Sequence, residues 1–491
     1  MLIMDLKNEY TRAVQMVKDA KFFLPKREFA PYFETVIRYL GGLLSAYALS
    51  HDKIFLDRAD ELATKLSPVF NTSSGLALFG VNPTNGRAIG PEIGILAEIA
   101  TLQLEYTYLA KLTGKAEHFT KASTLLKAFE RADLRLTDGM LPVKWNLTDG
   151  KPYDGAWAQA DSAHEYLLKQ YLMTARTDKE SLKMYLRATT HIIINLLYLS
   201  PKRHLLYVTD QKVDRHGNKF PTHVFEHLSC FLPGLLALGA HTLPLDNLDS
   251  LGISPEDIGA EELFGAARRN HDMLSDDYGL KRIHLWAAEG LAQTCYLTYA
   301  DQPTGLGPDE MVMRTTESRS WDKKASMWRV RWQNVLWIDA MKKWKKSGSR
   351  GAPPGLETKK PVLYKSEEEE RRGRSDRDYG LRKAGYLLRP ETVESLYILW
   401  RVTGDPMWRE RGRQIFEAIE REAKTPNGYA SLRSVDVSPA ILDDDMPRLK
   451  YLYLLFINDD PIPLEKWVFN TEAHPFPVFE WTRSERELFG L

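Results

Sequence analysis

Cysteine is nearly absent: two residues, Cys230 and Cys295, in a chain of 491. Two thiols do not make a zinc site by themselves, and they cannot replace a hydrophobic core in a chain of this length. Composition alone favours two separate buried thiols. Net charge is absent too, 66 basic residues against 66 acidic ones, and with it the global field that would draw the chain to nucleic acid or an anionic membrane. No apolar run approaches the roughly 18 residues needed to cross a bilayer; those around Ile192 to Leu199 and Leu232 to Leu238 have the length of core helices. The opening Met1 to Lys7 does not read as a signal peptide. P-loop, Gly-x-Ser-x-Gly and His-Glu-x-x-His patterns are all missing, which removes the chemistries those motifs carry.

What the chain does have is apolar content, 43% of its residues, enough for a large core. The apolar pattern predicts amphipathic helices near 5–20, 30–50, 53–67, 90–112, 116–131, 158–176, 180–199, 224–240, 260–275, 281–300, 391–403 and 406–423. Turn-rich segments at Thr137-Asp138-Gly139 and Asp214 to Asn218 have alternating flanks suited to hairpins. The expected fold is all-α with short β hairpins, and serial helix pairs of similar length suit a toroid of helical hairpins. Between about Asp309 and Lys383 clusters of both charges mix with Gly and Pro, which reads as a charged surface insertion, not a domain boundary. Asn71 and Asn146 head glycosylation sequons.

Carboxylates recur at conspicuous places on these helices. From Phe33 to Tyr47 the helical period aligns Glu34, Arg38, Gly41 or Gly42, and Ser45 along one polar, small stripe. Each glycine inside a helix costs about 1 kcal/mol relative to alanine, so close packing or ligand approach is expected there; a surface Glu34–Arg38 pair is the alternative. Asp161 and Glu165 share a face four residues apart, while Asp161 also suits an N-cap and Ser162 to Glu165 spells a capping box. In Arg389-Pro390-Glu391-Thr392-Val393-Glu394 a helix-starting proline precedes two acids, in the turn where the helix dipole favours their ionised form. Glu226-His227 adds an acid and an imidazole beside an apolar helix, and Asn470-Thr471-Glu472 puts hard oxygen groups on a turn. A toroid can make such carboxylates converge. Glycosidic cleavage needs a proton donor for the departing oxygen, a carboxylate that activates water or attacks carbon, and acids and guanidinium groups to orient hydroxyls.

At these same clusters, and through nearly its whole length, the sequence resembles the class I α-1,2-mannosidases of glycoside hydrolase family 47, the fungal branch most. The stretches that carry the resemblance are FETVIRYLGGLLSAY, ADSAHEYLLKQYL, FEHLSCFLPGLLALG, YLLRPETVESLYILWRVTGD and LKYLYLLF followed by WVFNTEAHPFP. It implies one catalytic domain over 1–491 with an (α/α)7 barrel, whose cavity removes terminal α-1,2-linked mannose from high-mannose N-glycans with inversion. Position by position, it implies Glu34 as general acid, directly or through a water, Glu391 as general base, and Asp161 as a third essential carboxylate whose proton-transfer role stays open. Thr471 is implied to hold a calcium ion through its carbonyl and hydroxyl oxygens, which suits a hard cation. Arg38, Glu165, Glu226, His227, Arg389, Glu394 and Glu472 match residues that line or support the sugar site. Inversion calls for carboxyl groups roughly 6.5 to 9.5 Å apart, leaving room for water. The resemblance also implies that Cys230 and Cys295 pair, against the reading from composition, and with that a secretory-pathway lumen, endoplasmic reticulum or Golgi. A monomer is expected, with no nucleic-acid partner and no membrane segment in this chain.

Three departures from the family pattern accompany the match. The chain starts close to the end of the first barrel helix, most of which is expected to be lacking. The connection from Asp443 to Lys450 is shorter than in the family, on a helix expected to face the cavity. Gln159 stands where some relatives carry arginine, which bears on branch preference. These departures leave open a second function, a glycan-binding or quality-control homologue that keeps the cavity with little or no turnover.

Overall fold

The computed structural model describes the whole chain except residues 154–156, 159–161, 214–217, 259–260, 323–326, 365–367, 370–372, 374–375, 427 and 444–449. Helix starts follow local chemistry. Lys53–Leu66, Lys179–His191 and Pro406–Glu422 each begin after an aspartate, Asp52, Asp178 or Asp405, whose side chain accepts a first-turn backbone amide. That amide has no partner within the helix, so the cap satisfies it. Gln103–Thr113 and Glu391–Thr403 stop where Gly114 and Gly404 take the left-handed conformation that glycine adopts without steric cost.

Two helix populations build two layers. Outer helices are amphipathic: in Lys53–Leu66 only Phe55, Ala59, Leu62, Ala63 and Leu66 are buried, one stripe at helical spacing. Inner helices are buried all round, as in Ser162–Met173, where every residue from Ala163 to Met173 is inside. Successive helices pair across short connections: Gly41–Ser50 with Lys53–Leu66, Gln103–Thr113 with Ala116–Glu130, Ser162–Met173 with Lys179–His191, and Glu391–Thr403 with Pro406–Glu422. The first member of each pair also touches the next around a ring that takes in Leu232–Thr242 and Lys450–Phe456. The result is an α/α barrel, with one continuous apolar cluster between its layers.

The sheets are all antiparallel ribbons of two or three strands. Gln211–Val213 pairs with Lys219–Pro221 across the expected turn. No hairpin forms about Asp138; Arg135–Thr137 is a single 3-10 turn, and Lys144–Asn146 pairs instead with Ile93–Ile95. The 309–383 stretch is not surface throughout. Its ends supply the paired strands Glu310–Met313 and Tyr379–Lys383, and Met311, Met313, Trp337, Met341 and Tyr379 are core residues; the charged clusters masked these spaced apolar positions. The first long helix, Lys7–Asp19, has no buried residue and lies on Lys53–Leu66, with Tyr10 and Phe55 ring centroids 6.1 Å apart. Cys230 and Cys295 are joined in a disulfide, Cα atoms 6.0 Å apart, tying the turn His227–Phe231 to Leu280–Ala300. The separate thiols favoured by composition are thereby corrected: residues 65 apart in sequence are brought together by helix packing that composition does not encode.

Candidate active site

A cavity of about 350 Å³ is lined by Glu34, Arg38, Glu226, Arg389, Glu391, Glu394, Thr471 and Glu472, together with apolar Phe33, Ile95, Leu228 and Phe231. The clusters singled out in the sequence therefore converge, from segments more than 400 residues apart. His227 is buried beside Glu391, and Glu165, also buried, is linked to Glu394 through Lys169. Asp161 lies outside the described residues, as do Gln159 and most of the short 443–450 connection; Ser162, next to Asp161, lines the cavity.

One wall is the segment from Tyr32 to Ser50, where the α-helix widens to a π-turn over Val36–Leu40. Widened turns of this kind recur at functional sites because they re-aim side chains. Here the turn carries Arg38, which pairs with Glu34 one turn back and reaches Glu472 at 2.9 Å. The surface-pair alternative is thus half right: the Glu34–Arg38 pair forms, partly exposed, but its arginine is shared with the cavity floor. Both glycines that follow face that floor. A Cβ on Gly41 would lie 2.6 Å from Asn470 Nδ2, and one on Gly42 3.4 Å from the His474 ring. Close packing is what offsets their cost to the helix.

The floor is a β-hairpin, Trp467–Phe469 with Pro475–Pro477, whose turn presents Thr471 and Glu472. Asn470 closes it: its backbone amide donates to the His474 carbonyl at 2.9 Å, and its side-chain oxygen accepts the amides of Glu472 and His474, each at 2.9 Å. The opposite wall begins at Leu388, buried and held at φ 54°, a left-handed conformation that is uncommon for a bulky residue. Arg389 then pairs with Asp309 at 2.8 Å, and the helix starts after Pro390 with Glu391 and Glu394 in its first turn. His227 Nδ1 stands 3.2 Å from Glu391 Oε2. Its Nε2 is 2.6 Å from the Tyr299 hydroxyl and 3.2 Å from that of Thr392. Nδ1 and Glu391 Oε2 are close but make no hydrogen bond among the described residues.

Burial sets the electrostatics beneath this surface. Lys169, one turn along from Glu165, contacts Glu165 Oε1 and stands 3.3 Å from Glu394 Oε1, all three side chains at most 6% exposed. Burial pushes the Glu394 carboxyl up, Lys169 opposes that, and the Glu165 charge adds to it. For Lys169 burial acts downward but is outweighed by the two acids, which keep its ammonium charged. The charge of Glu165 is thus compensated by Lys169, and Ser162, the first residue of the helix, has its hydroxyl 2.8 Å from that of Thr101 instead of closing a capping box. Glu226 is raised by burial and then by Glu310, its partner across the strand pair. Glu98, on Leu96–Ala100, is raised by burial and then by the charge of Glu34.

Every candidate ligand here is a hard oxygen: the Thr471 hydroxyl and carbonyl, and the carboxylates of Glu391, Glu394 and Glu472. Among the described residues no three His, Cys, Asp or Glu side chains form a direct metal cage. Such oxygen donors suit a hard cation better than zinc, which takes nitrogen and sulfur. Chemically, the cavity offers paired acids for proton transfer and two arginines for hydroxyl or anion recognition.

Sequence reading missed several supporting residues. Lys169 had a usable signal, a lysine four residues after Glu165. Glu105 had a weaker one, a single acid within the apolar run Leu104 to Ala110. Asp309 and Tyr299 had none, because their partners lie 80 and 72 residues away; Asn470 was singled out with its turn, but nothing pointed to its partner 365 residues away.

Comparison with known proteins gives a consistent answer. The model of the family described as glycosyl hydrolase family 47 matches residues 1–478. Mannosyl-oligosaccharide alpha-1,2-mannosidase IA of Drosophila melanogaster is 31% identical over 496 residues, covering 97% of this chain and 59% of that protein. Mannosyl-oligosaccharide 1,2-alpha-mannosidase of Candida albicans is 32% identical over 505 residues, covering 98% and 75%. Among solved structures, an alpha-1,2-mannosidase from Trichoderma reesei superposes with a TM-score of 0.72 at 24% identity, over 97% of this chain and 88% of that one. The chain spans about three fifths of the length of the Drosophila protein.

Proposed function

This chain belongs to glycosyl hydrolase family 47, and from that premise we propose that it is an inverting exo-α-1,2-mannosidase acting on high-mannose N-glycans. The observation that carries the reading is the convergence of Glu34, Glu391, Thr471 and two arginines on one cavity. Glu391 is the general base that takes a proton from water, standing in the first turn of its helix with His227 beside it. Glu34, on the other wall, delivers the proton to the departing oxygen, with Asp161 as the third essential carboxylate. Arg38 holds Glu34 and Glu472 together; Arg389, fixed by Asp309, meets the sugar hydroxyls alongside Glu226 and Glu394. Glu165 and Lys169 keep Glu394 in place from behind. Calcium on Thr471 supplies, when bound, hard coordination for neighbouring sugar hydroxyls. The buried acids and shared arginine are machinery for hydrolysis more than for binding alone, which favours turnover over the glycan-binding alternative.

Residues 1–491 act in this reading as one catalytic domain and as a monomer. The Cys230–Cys295 disulfide supports work in an oxidising lumen of the secretory pathway, endoplasmic reticulum or Golgi. No helix of the described residues is long and apolar enough to cross a membrane. The test is incubation of the purified chain with a high-mannose glycan, followed by mass, in calcium and in chelator. Stepwise loss of hexose in calcium and none in chelator is expected; an intact glycan after incubation with folded, calcium-supplied protein would overturn the reading.

A further inference from the structure

Behind the cavity, four segments meet on one buried carboxylate that the reaction above does not use. Glu105 sits in the fully buried first half of Gln103–Thr113 and exposes no surface. Its Oε1 accepts two hydrogen bonds, from the Tyr166 hydroxyl and from the Asn470 side-chain amide, each at 2.8 Å. The same amide donates to the Ile37 carbonyl at 3.0 Å, inside the π-turn that carries Arg38. Asn470 also closes the turn that presents Thr471 and Glu472, and Tyr166 is the neighbour of Glu165. One acceptor atom thus links the wall of Glu34 and Arg38, the floor of Thr471 and Glu472, and the helix of Glu165.

The surroundings argue against an incidental contact. Glu105 stands among Leu104, Tyr106 and Leu109, where a carboxylate is costly unless its bonds compensate. Burial raises it to about 7, against the pull of Asn470 and Tyr166. Its second oxygen has no hydrogen-bond partner among the described residues, so the group is kept for what Oε1 holds. Gly41 supplies independent support: a Cβ there would lie 2.6 Å from Asn470 Nδ2 and 3.5 Å from Glu105 Oε1. The helix gives up a side chain at the spot where the amide must pass.

We propose that Glu105 is a positioning residue that fixes Asn470, and through it the Thr471–Glu472 turn, in register with the wall bearing Glu34 and Arg38. The inference rests on the reading of this cavity as a calcium-assisted glycosidase site. Three variants of the full chain separate position from mere packing. Glu105→Gln keeps an acceptor oxygen toward Asn470 and Tyr166 without the charge; Glu105→Leu removes it. Gly41→Ala removes no hydrogen-bonding group and favours the helix, yet displaces Asn470. Each is measured by calcium titration calorimetry, by amide hydrogen exchange across 470–474, and by kcat and KM on a high-mannose glycan.

Glu105→Leu is expected to weaken calcium binding by about 10- to 100-fold, the usual effect of losing a group that orients a ligand, and to speed exchange at the Glu472 and His474 amides but not in Lys53–Leu66. Gly41→Ala shifts both readouts the same way, and Glu105→Gln stays near the parent. If Glu105→Leu does not fold, Gly41→Ala and Glu105→Gln carry the comparison. Wild-type exchange and calcium affinity in a folded Glu105→Leu or in Gly41→Ala would overturn the proposal, as would Glu105→Gln failing as badly as Glu105→Leu. A parent chain that neither binds calcium nor releases mannose would defeat the functional reading instead, and the exchange comparison alone would then decide whether Glu105 positions the turn.

Discussion

Lys169→Met tests the electrostatic base of the site with the least change in shape, since methionine keeps most of the length and apolar stem. The ammonium it removes compensates Glu165 and Glu394, whose side chains are only 2% and 6% exposed. Removing one partner of a buried ion pair costs about 3–5 kcal/mol because the other charge is left unpaired, a large part of the roughly 5–15 kcal/mol that keeps a domain folded. The cost must depend on pH. A carboxyl raised above its ordinary value, as Glu394 is above 4.5, holds its proton more firmly folded than unfolded, so stability is full below the unfolded value and falls as pH rises through the folded one. Without Lys169 the Glu394 carboxyl rises further, so the decline with pH steepens and extends higher. Urea denaturation of parent and variant at pH 5 and pH 8 measures both effects. The expected gap is about 3–5 kcal/mol at pH 8 and markedly smaller at pH 5, where Glu394 takes up its proton. A gap below about 1 kcal/mol at pH 8, the worth of an exposed pair, or one equal at the two pH values, would refute the reasoning.

Glu391→Gln keeps the bulk near His227 but removes the base, so kcat should fall by about 10²- to 10⁴-fold while the urea midpoint stays close to the parent; unchanged turnover would remove Glu391 from that role. Reducing Cys230–Cys295 opens a loop of 65 residues, and the chain-entropy relation puts its contribution near about 4 kcal/mol; denaturation of Cys230→Ser/Cys295→Ser against the parent reads it, and a loss under about 1 kcal/mol would contradict the account. Calcium at a hundred times its dissociation constant should stabilise the fold by about 2.7 kcal/mol, seen as a fall in Tm on adding chelator; a Tm indifferent to chelator would speak against calcium on Thr471.

Much of this architecture was legible in the sequence because it is local. Period 3.6 located Lys53–Leu66, Ala116–Glu130, Leu280–Ala300, Glu391–Thr403 and Pro406–Glu422 within a residue or two. The helix expected over 90–112 is instead a strand, a short helix and Gln103–Thr113, and that over 180–199 ends in a π-turn and a strand, since tertiary packing overrides propensity where the chain enters the ring. The candidate site was legible in its acids, whose odd placement on helices could be seen. What holds those acids was not. Lys169 reaches Glu394 across 225 residues, and Asn470 reaches Glu105 across 365; only the ring closure brings such groups together. The double glycine announced a close approach, but which residue approaches depended on the hairpin that returns near the end of the chain.

The most direct test of the account is the anomeric form of the first mannose released, followed by proton NMR in the opening minutes of turnover before mutarotation. A base at Glu391 delivering water opposite the departing oxygen predicts β-mannose first, with the α form growing in later. Initial release of α-mannose would mean retention through a covalent intermediate, and would contradict the roles assigned to Glu34 and Glu391.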